Sequence, residues 1–162
     1  MLPRRTALLL AGALTTTALA GIAPGASATP VGCDDAPTPD GRVFPEPMVS
    51  LTYVTFDEFV CGMALLEERH PDLLEVTEIG TSVDGHPVLD VVMTDETVGG
   101  DKPELLVMSS IHGDEIGARE GAVRIIEEMV DPDLLGTEGW VQQVLDEHRI
   151  HFAFPNPDGW VN

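Results

Sequence analysis

The chain has 162 residues and a net charge of −20 at neutral pH, because 28 acidic residues outnumber eight lysines and arginines. Nucleic-acid affinity depends on lysine and arginine contacts to phosphate, so this charge excludes a nucleic-acid-binding protein. It also disfavours an anionic membrane surface as a partner.

Residues 1–28 have the pattern of an export signal. Arg4 and Arg5 form a positively charged start, residues 6–23 are apolar or small, and residues 26–28 (Ala-Ser-Ala) fit the small-x-small rule for cleavage. We therefore expect a secreted, extracellular protein that begins at Thr29, without a membrane association after cleavage. A transmembrane anchor is the alternative, but the stretch is short for a span.

Residues 29–47 are rich in proline and lack apolar periodicity, which predicts a linker. Cys33 in this stretch and Cys61 beyond it are the only cysteines, and both belong to the exported part, where disulfides form. A disulfide between them is the favoured interpretation, and two free thiols are the alternative.

From residue 48 to residue 162 the pattern is that of one α/β domain. Thr55 and Glu58 have the spacing of a capping box, and the apolar positions after them predict an amphipathic helix that ends near His70. Strands around 76–79 and over 88–93 follow, and Asp84-Gly85 between them suits a hairpin turn.

The rest of the domain is predicted as strand, helix and strand. Residues 104–111 are mostly apolar and predict a buried strand, residues 116–130 are periodic and predict a helix, and residues 149–154 predict a further strand. The charged residues of the helix are expected to be mostly solvated. An intrahelical or surface ion pair is the expected role of Arg119, and a role in shaping the site is the alternative.

Residues 112–115, His-Gly-Asp-Glu, lie at the predicted turn from strand to helix. A His and a Glu three residues apart at such a turn can direct two ligand atoms at one point, and both atom types suit Zn2+. In open α/β sheets ligands bind beyond the carboxyl ends of strands, where His112 and Glu115 are expected to lie. A catalytic zinc takes three protein ligands, so this pair needs a third. Solvated polar residues at a helix start are the ordinary alternative.

Residues 156–159, Asn-Pro-Asp-Gly, follow the last predicted strand and precede Trp160. Proline fixes φ and Gly159 permits a positive φ, so the composition predicts a turn.

Together the two motifs resemble the zinc metallocarboxypeptidase family, which includes the carboxypeptidases A, B, N and E and bacterial relatives. In that family a strand leads into His-x-x-Glu, a helix follows, and the next strand ends at Asn-Pro-Asp-Gly and an aromatic residue, as in this chain. Arg119-Glu120 after the first motif is similar to the N/E branch. The resemblance covers residues 48–162 and implies an α/β fold with a mixed, mostly parallel sheet and helices on both faces.

The resemblance also implies a function and a ligand set. It implies release of a C-terminal residue from a peptide or cell-wall peptide, with Zn2+ as cofactor and His112 and Glu115 as metal ligands. The family's second His ligand, its general-base Glu and its substrate-binding Arg lie beyond Asn-Pro-Asp-Gly, so no catalytic residue is assigned here. The chain is therefore expected to be an inactive N-terminal part of the enzyme, with an unpaired sheet edge after residues 149–154.

Two other functions stay open. One is a related zinc deacylase of N-acyl amino acids, and the other is a secreted acidic binding module without activity. The four other histidines are expected to be ordinary surface or interior residues.

Overall fold

The computed structural model describes residues 42–44, 53–131 and 138–161. The elements in chain order are α1 (Phe56–Arg69), β1 (Leu74–Thr81), β2 (Pro87–Met93), β3 (Glu104–Met108), α2 (Ile116–Val130), α3 (Glu138–Glu147), β4 (Arg149–Phe154) and α4 (Pro157–Val161). The predicted export signal, residues 1–28, lies outside these ranges. Within them, no helix has the length and apolar character needed to cross a membrane.

The predicted capping box starts α1. The Thr55 hydroxyl accepts a hydrogen bond from the Glu58 backbone N–H at 3.2 Å, and the Glu58 carboxylate accepts one from the Thr55 backbone N–H at 2.8 Å. The helix ends at Arg69, with His70 as its C-cap. Cys61 on this helix is disulfide-bonded; its predicted partner, Cys33, lies outside the described residues.

The predicted hairpin joins β1 and β2, which pair antiparallel. Gly85 has a φ of 90°, and its N–H donates to the Ser82 carbonyl at 3.2 Å, which closes the turn. This left-handed backbone explains why glycine occupies the position.

The four described strands form one sheet in the order β1-β2-β4-β3. The β1–β2 and β2–β4 pairs are antiparallel and the β3–β4 pair is parallel, so the predicted α/β fold with a mixed sheet is confirmed. A mostly parallel sheet is wrong for these strands. A hairpin joins β1 to β2 and β4 runs opposite to β2, so only the helical crossover from β3 to β4 gives a parallel pair.

The core lies on one face of this sheet. It contains alternate residues of β2 and β4 together with residues from all four helices, among them Phe59, Ile126, Leu145 and Trp160. Helices on both faces are therefore not seen in the described part of the chain. The opposite face of the sheet carries the polar pair Asp90 and His151, whose side chains contact at 2.8 Å. The centre of that face is therefore not a continuous apolar surface on which a helix could pack.

β3 is an edge strand, and the prediction that it is buried is wrong. All five of its residues are exposed, and Leu106 keeps 65% of its surface accessible. The unpaired edge was expected after β4, but β4 lies between β2 and β3. The edges among the described strands are therefore β1 and β3, because β4, which comes later in the chain, inserts between β2 and β3.

Residues 42–44, near the end of the segment predicted as a linker over 29–47, pack on the domain. Phe44 is 1% exposed and belongs to the core, where its ring fills the space in which Gly62 has no side chain. The backbone N–H groups of Val43 and Phe44 donate to the carboxylate of Glu127 on α2, and Arg124 donates to the Phe44 carbonyl at 2.7 Å.

Glu127 is consequently buried, with 1% exposure, although the helical charges were expected to be solvated. Desolvation raises its pKa, and the two donated backbone N–H groups and the nearby arginines partly oppose this shift. Burial of Glu127 follows from the packing of residues 42–44 over α2, a contact between segments more than 80 residues apart.

Candidate metal centre

The His-Gly-Asp-Glu segment occupies the loop between β3 and α2, as predicted. β3 ends at Met108, and Glu115 is the N-cap residue of α2. Because β3 and β4 run parallel, the loop lies at the carboxyl end of this strand pair. His148, by contrast, directly precedes β4 and lies at the other end of the sheet.

His112 and Glu115 face each other across this loop. The His112 Nδ1 lies 3.0 Å from the Glu115 Oε1, and 72% and 50% of the two side chains are exposed. The hydrogen bond to Glu115 and the negative charge of that carboxylate raise the pKa of His112, and the same hydrogen bond lowers the pKa of Glu115. An imidazole nitrogen and a carboxylate oxygen thus meet at one point that solvent can reach.

The second motif forms a short helix instead of the predicted turn. Residues 157–161 are α4, and the Asn156 Oδ1 accepts a hydrogen bond from the Gly159 N–H at 2.9 Å. Gly159 is not among the described glycines with positive φ, which are Gly85 and Gly100. Gly159 therefore does not use the positive φ that glycine permits, and the Asn156 side chain at the helix start satisfies its backbone N–H.

Close backbone approach explains the glycine instead. A Cβ atom on Gly113 would overlap the backbone of Gly159, and a Cβ atom on Gly159 would lie 2.9 Å from the Gly113 Cα. Asn156 adds a hydrogen bond beside this contact between Gly113 and Gly159, since its Nδ2 donates to the Ile111 carbonyl at 2.9 Å. The two motifs are therefore in direct contact, and the second one supports the residues on both sides of His112.

The same short helix contacts two further loops. The Asp158 carboxylate accepts hydrogen bonds from the Ser82 hydroxyl and from the Asp84 N–H, in the turn between β1 and β2. Trp160 donates its indole N–H to the Val54 carbonyl at 2.9 Å, just before α1. Composition alone did not reveal these roles, since each joins residues more than 70 positions apart.

Arg119 is buried, with 7% exposure, so the surface ion pair, one form of the role expected for it, is wrong. Its Nη1 donates to the Gly113 carbonyl at 3.2 Å. The side chain reaches the His-Gly-Asp-Glu loop because α2 begins directly after that loop and its early side chains lean back toward it.

The other histidines contact other residues. His70 caps α1, His86 packs edge-on against the Phe56 ring at 5.5 Å, His148 contacts the Val144 carbonyl, and His151 contacts Asp90. Within the described ranges, no group of three or more His, Cys, Asp or Glu side chains is arranged to hold a metal ion. The described candidate site thus consists of His112 and Glu115.

Comparison with known proteins identifies the family of the chain. The model of the zinc carboxypeptidase family matches residues 62–161. Mouse carboxypeptidase A1 is 30% identical over 111 residues, which cover 68% of this chain and 26% of that protein. Carboxypeptidase E of Caenorhabditis elegans is 31% identical over 100 residues, which cover 59% of this chain and 21% of that protein. The chain therefore matches about a quarter of the length of these relatives.

Solved structures show the same fold. Thrombin-activatable fibrinolysis inhibitor superposes with a TM-score of 0.62 at 19% identity, over 68% of this chain and 27% of that chain. Carboxypeptidase A from Helicoverpa armigera superposes with a TM-score of 0.56 at 22% identity, over 66% of this chain and 25% of that chain.

Proposed function

Because the chain belongs to the zinc carboxypeptidase family, we propose that His112 and Glu115 are two protein ligands of the catalytic zinc of a secreted metallocarboxypeptidase. The observation that carries this proposal is the 3.0 Å approach of the His112 Nδ1 and the Glu115 Oε1 in an exposed loop. The proposed substrate is the C-terminal residue of a peptide or of a cell-wall peptide.

The distance between the two atoms fits a shared metal ion. Zinc lies about 2.1 Å from nitrogen and oxygen ligands, so two ligand atoms at a tetrahedral angle are about 3.4 Å apart. The atoms of His112 and Glu115 need to separate by only a few tenths of an ångström to reach that spacing. Neutral imidazole and carboxylate are also the chemical forms that bind zinc at neutral pH.

Zinc in such a site polarises a peptide carbonyl and a water molecule. The residues of this chain contribute orientation. Gly113 allows the ligand loop to lie against Gly159, and Asn156 holds the carbonyl that precedes His112. Because these supports are backbone contacts or hydrogen bonds to backbone atoms, they fix the loop without using the two ligand side chains.

Two ligands do not complete a catalytic zinc site, which takes three. The third ligand and the general base of the proposed enzyme are not among the described residues that meet at this loop. We therefore expect the 162-residue chain by itself to release no amino acid from a blocked dipeptide. Chelator-sensitive release that His112→Ala abolishes would contradict this expectation.

Zinc titration of the chain tests the ligand assignment directly. Wild type is expected to bind Zn2+ through His112 and Glu115, but far more weakly than a site with three protein ligands. His112→Ala and Glu115→Ala should each remove this binding, whereas His148→Ala, at the opposite end of the sheet, should leave the isotherm unchanged. An isotherm that neither ligand substitution alters would refute the assignment.

A further inference from the structure

We propose that Arg119 is a positioning residue, which fixes the orientation of the His112–Glu115 loop through the carbonyl of Gly113. The inference rests on the proposed function in one respect, since the loop is taken to bind zinc. The hydrogen-bond geometry itself does not depend on the metal.

The contact falls between the two proposed ligands. Gly113 directly follows His112 and lies two residues before Glu115, so the orientation of its peptide group affects both side chains. The Arg119 Nη1 donates to this carbonyl at 3.2 Å from the first turn of α2. A charged donor forms a stronger hydrogen bond than a neutral one, so the guanidinium restricts the peptide more than a water molecule would.

Trp160 holds the guanidinium in place. The Arg119 Cζ lies 4.8 Å from the centroid of the Trp160 ring, and the Trp160 indole is itself fixed by its hydrogen bond to Val54. The residue before Trp160 is Gly159, which packs against Gly113. Gly113 is therefore held from two directions, by the backbone of α4 and by the arginine that stacks on the aromatic residue of α4.

The arrangement has costs that an exposed arginine would avoid. A positive charge near a helix N-terminus opposes the helix dipole. Arg119 is 7% exposed, and its Nε is buried without a hydrogen-bond partner in the described part of the chain. Desolvation lowers the pKa of Arg119 despite the nearby Glu120 carboxylate. These costs argue against a purely stabilising ion pair and favour a role in holding the Gly113 carbonyl.

Hydrogen exchange of the metal-free full chain tests the proposal. The informative amide is that of Glu115, which donates to the His112 carbonyl at 3.2 Å within the loop, and the amide of Val123 in the middle of α2 reports on the helix. Arg119→Met should speed exchange at Glu115 on the order of tenfold, as expected for loss of a hydrogen bond to a charged group, and leave Val123 unchanged. Arg119→Lys keeps the charge and one donor and should restore part of the protection.

Arg124→Met is the matched control. Arg124 also lies on α2 and also donates to a backbone carbonyl, but that carbonyl belongs to Phe44 and not to the ligand loop. This substitution should leave Glu115 exchange at the wild-type rate. If Arg119→Met leaves the Glu115 rate unchanged, or if both substitutions speed exchange at Glu115 and Val123 equally, the positioning role is refuted.

A zinc titration separates this inference from the proposed function. Arg119→Met should weaken Zn2+ binding about tenfold, the effect typical of residues that orient metal ligands. Faster exchange at Glu115 with unchanged zinc affinity would refute the link between loop orientation and metal binding. If His112→Ala leaves wild-type zinc binding intact, the ligand assignment fails, and the exchange rates still decide whether Arg119 holds the loop.

Discussion

Gly113 and Gly159 are in backbone contact, although 46 positions separate them in the sequence, and neither position has room for a Cβ atom. One glycine belongs to the loop that carries the proposed ligands and the other to the short helix after β4. This contact joins the two motifs into one structural unit.

Gly113→Ala should therefore destabilise the chain. The added methyl group must push the two backbones apart, and overpacking of this kind costs about 1–3 kcal/mol. Chemical unfolding followed by circular dichroism measures the loss. Gly121→Ala is the control, because Gly121 is exposed on α2 with open space around it; alanine there should stabilise the helix by about 0.5–1 kcal/mol. Equal stability of Gly113→Ala and wild type would contradict the contact.

Local signals in the sequence were sufficient for most of the secondary structure. The capping box of Thr55 and Glu58 and the turn at Gly85 depend on residues close in sequence, and both are present. α3 was not predicted, although Val141, Val144 and Leu145 have the spacing of one helix face and pack on the core. That spacing was the signal that could have revealed it.

Features set by distant contacts could not be read from the sequence. The exposure of β3 depends on β4 inserting beside β2, and the burial of Glu127 depends on residues 42–44. The two proposed ligands were found because His112 and Glu115 belong to one local motif. For Arg119 the sequence favours an ion pair over a role in shaping the site, because its contacts with Gly113 and Trp160 require the fold to bring α2 and α4 together.

Ser110 lies just before the ligand loop with a φ of 57°, a left-handed conformation that costs a non-glycine residue about 1–2 kcal/mol. Its hydroxyl is also buried without a hydrogen-bond partner. Ser110→Gly should therefore stabilise the chain by about 1 kcal/mol in chemical unfolding, because relief of strain exceeds the added flexibility of the unfolded chain.

Ser109→Gly is the control for this prediction. Ser109 is likewise buried with an unpartnered hydroxyl, but its φ is not positive. Glycine at this position adds flexibility to the unfolded chain without relieving strain, so it should destabilise. A stabilising Ser109→Gly, or a destabilising Ser110→Gly, would contradict the role assigned to the left-handed backbone.

The histidines should titrate at different pH values in the metal-free protein. Glu115 raises the pKa of His112 above 6.5, whereas desolvation lowers the pKa of His70 below 6.5. The raised pKa of His112 stabilises the fold below about pH 6.5, and this contribution is lost as the pH rises through the folded pKa. The lowered pKa of Glu115 stabilises the fold above about pH 4.5, and this contribution is lost as the pH falls through the folded pKa. The His112–Glu115 pair therefore contributes most to stability between about pH 4.5 and 6.5. Solvent screening keeps that contribution small.

Proton NMR of the histidine rings measures the order directly. His112 should titrate at a higher pH than His70 in the same sample. Glu115→Gln should lower the pKa of His112, because the carboxylate is lost, and leave His70 unchanged. If His112 titrates below His70, the contact between His112 and Glu115 does not form in solution.

The exposed edge at β3 should make the chain associate. Leu105, Leu106, Val107 and Met108 are all exposed on a strand that, among the described strands, pairs on one side only. Such an edge is a template for pairing with another chain. The net charge of −20 opposes association, so added salt should increase it by screening the repulsion. Sedimentation velocity over a range of protein and salt concentrations measures the effect.

Substitutions at exposed apolar residues separate the edge from general surface hydrophobicity. Leu106→Lys introduces a charge in the middle of β3 and should shift the chain toward monomer with little loss of stability, since Leu106 is 65% exposed. Val83→Lys is the control, because Val83 is 98% exposed in the turn between β1 and β2 and is remote from this edge; it should leave association unchanged. The wild-type chain could instead stay monomeric at high salt, with cooperative unfolding and dispersed amide signals. That result would contradict association through β3 and favour a self-sufficient binding module.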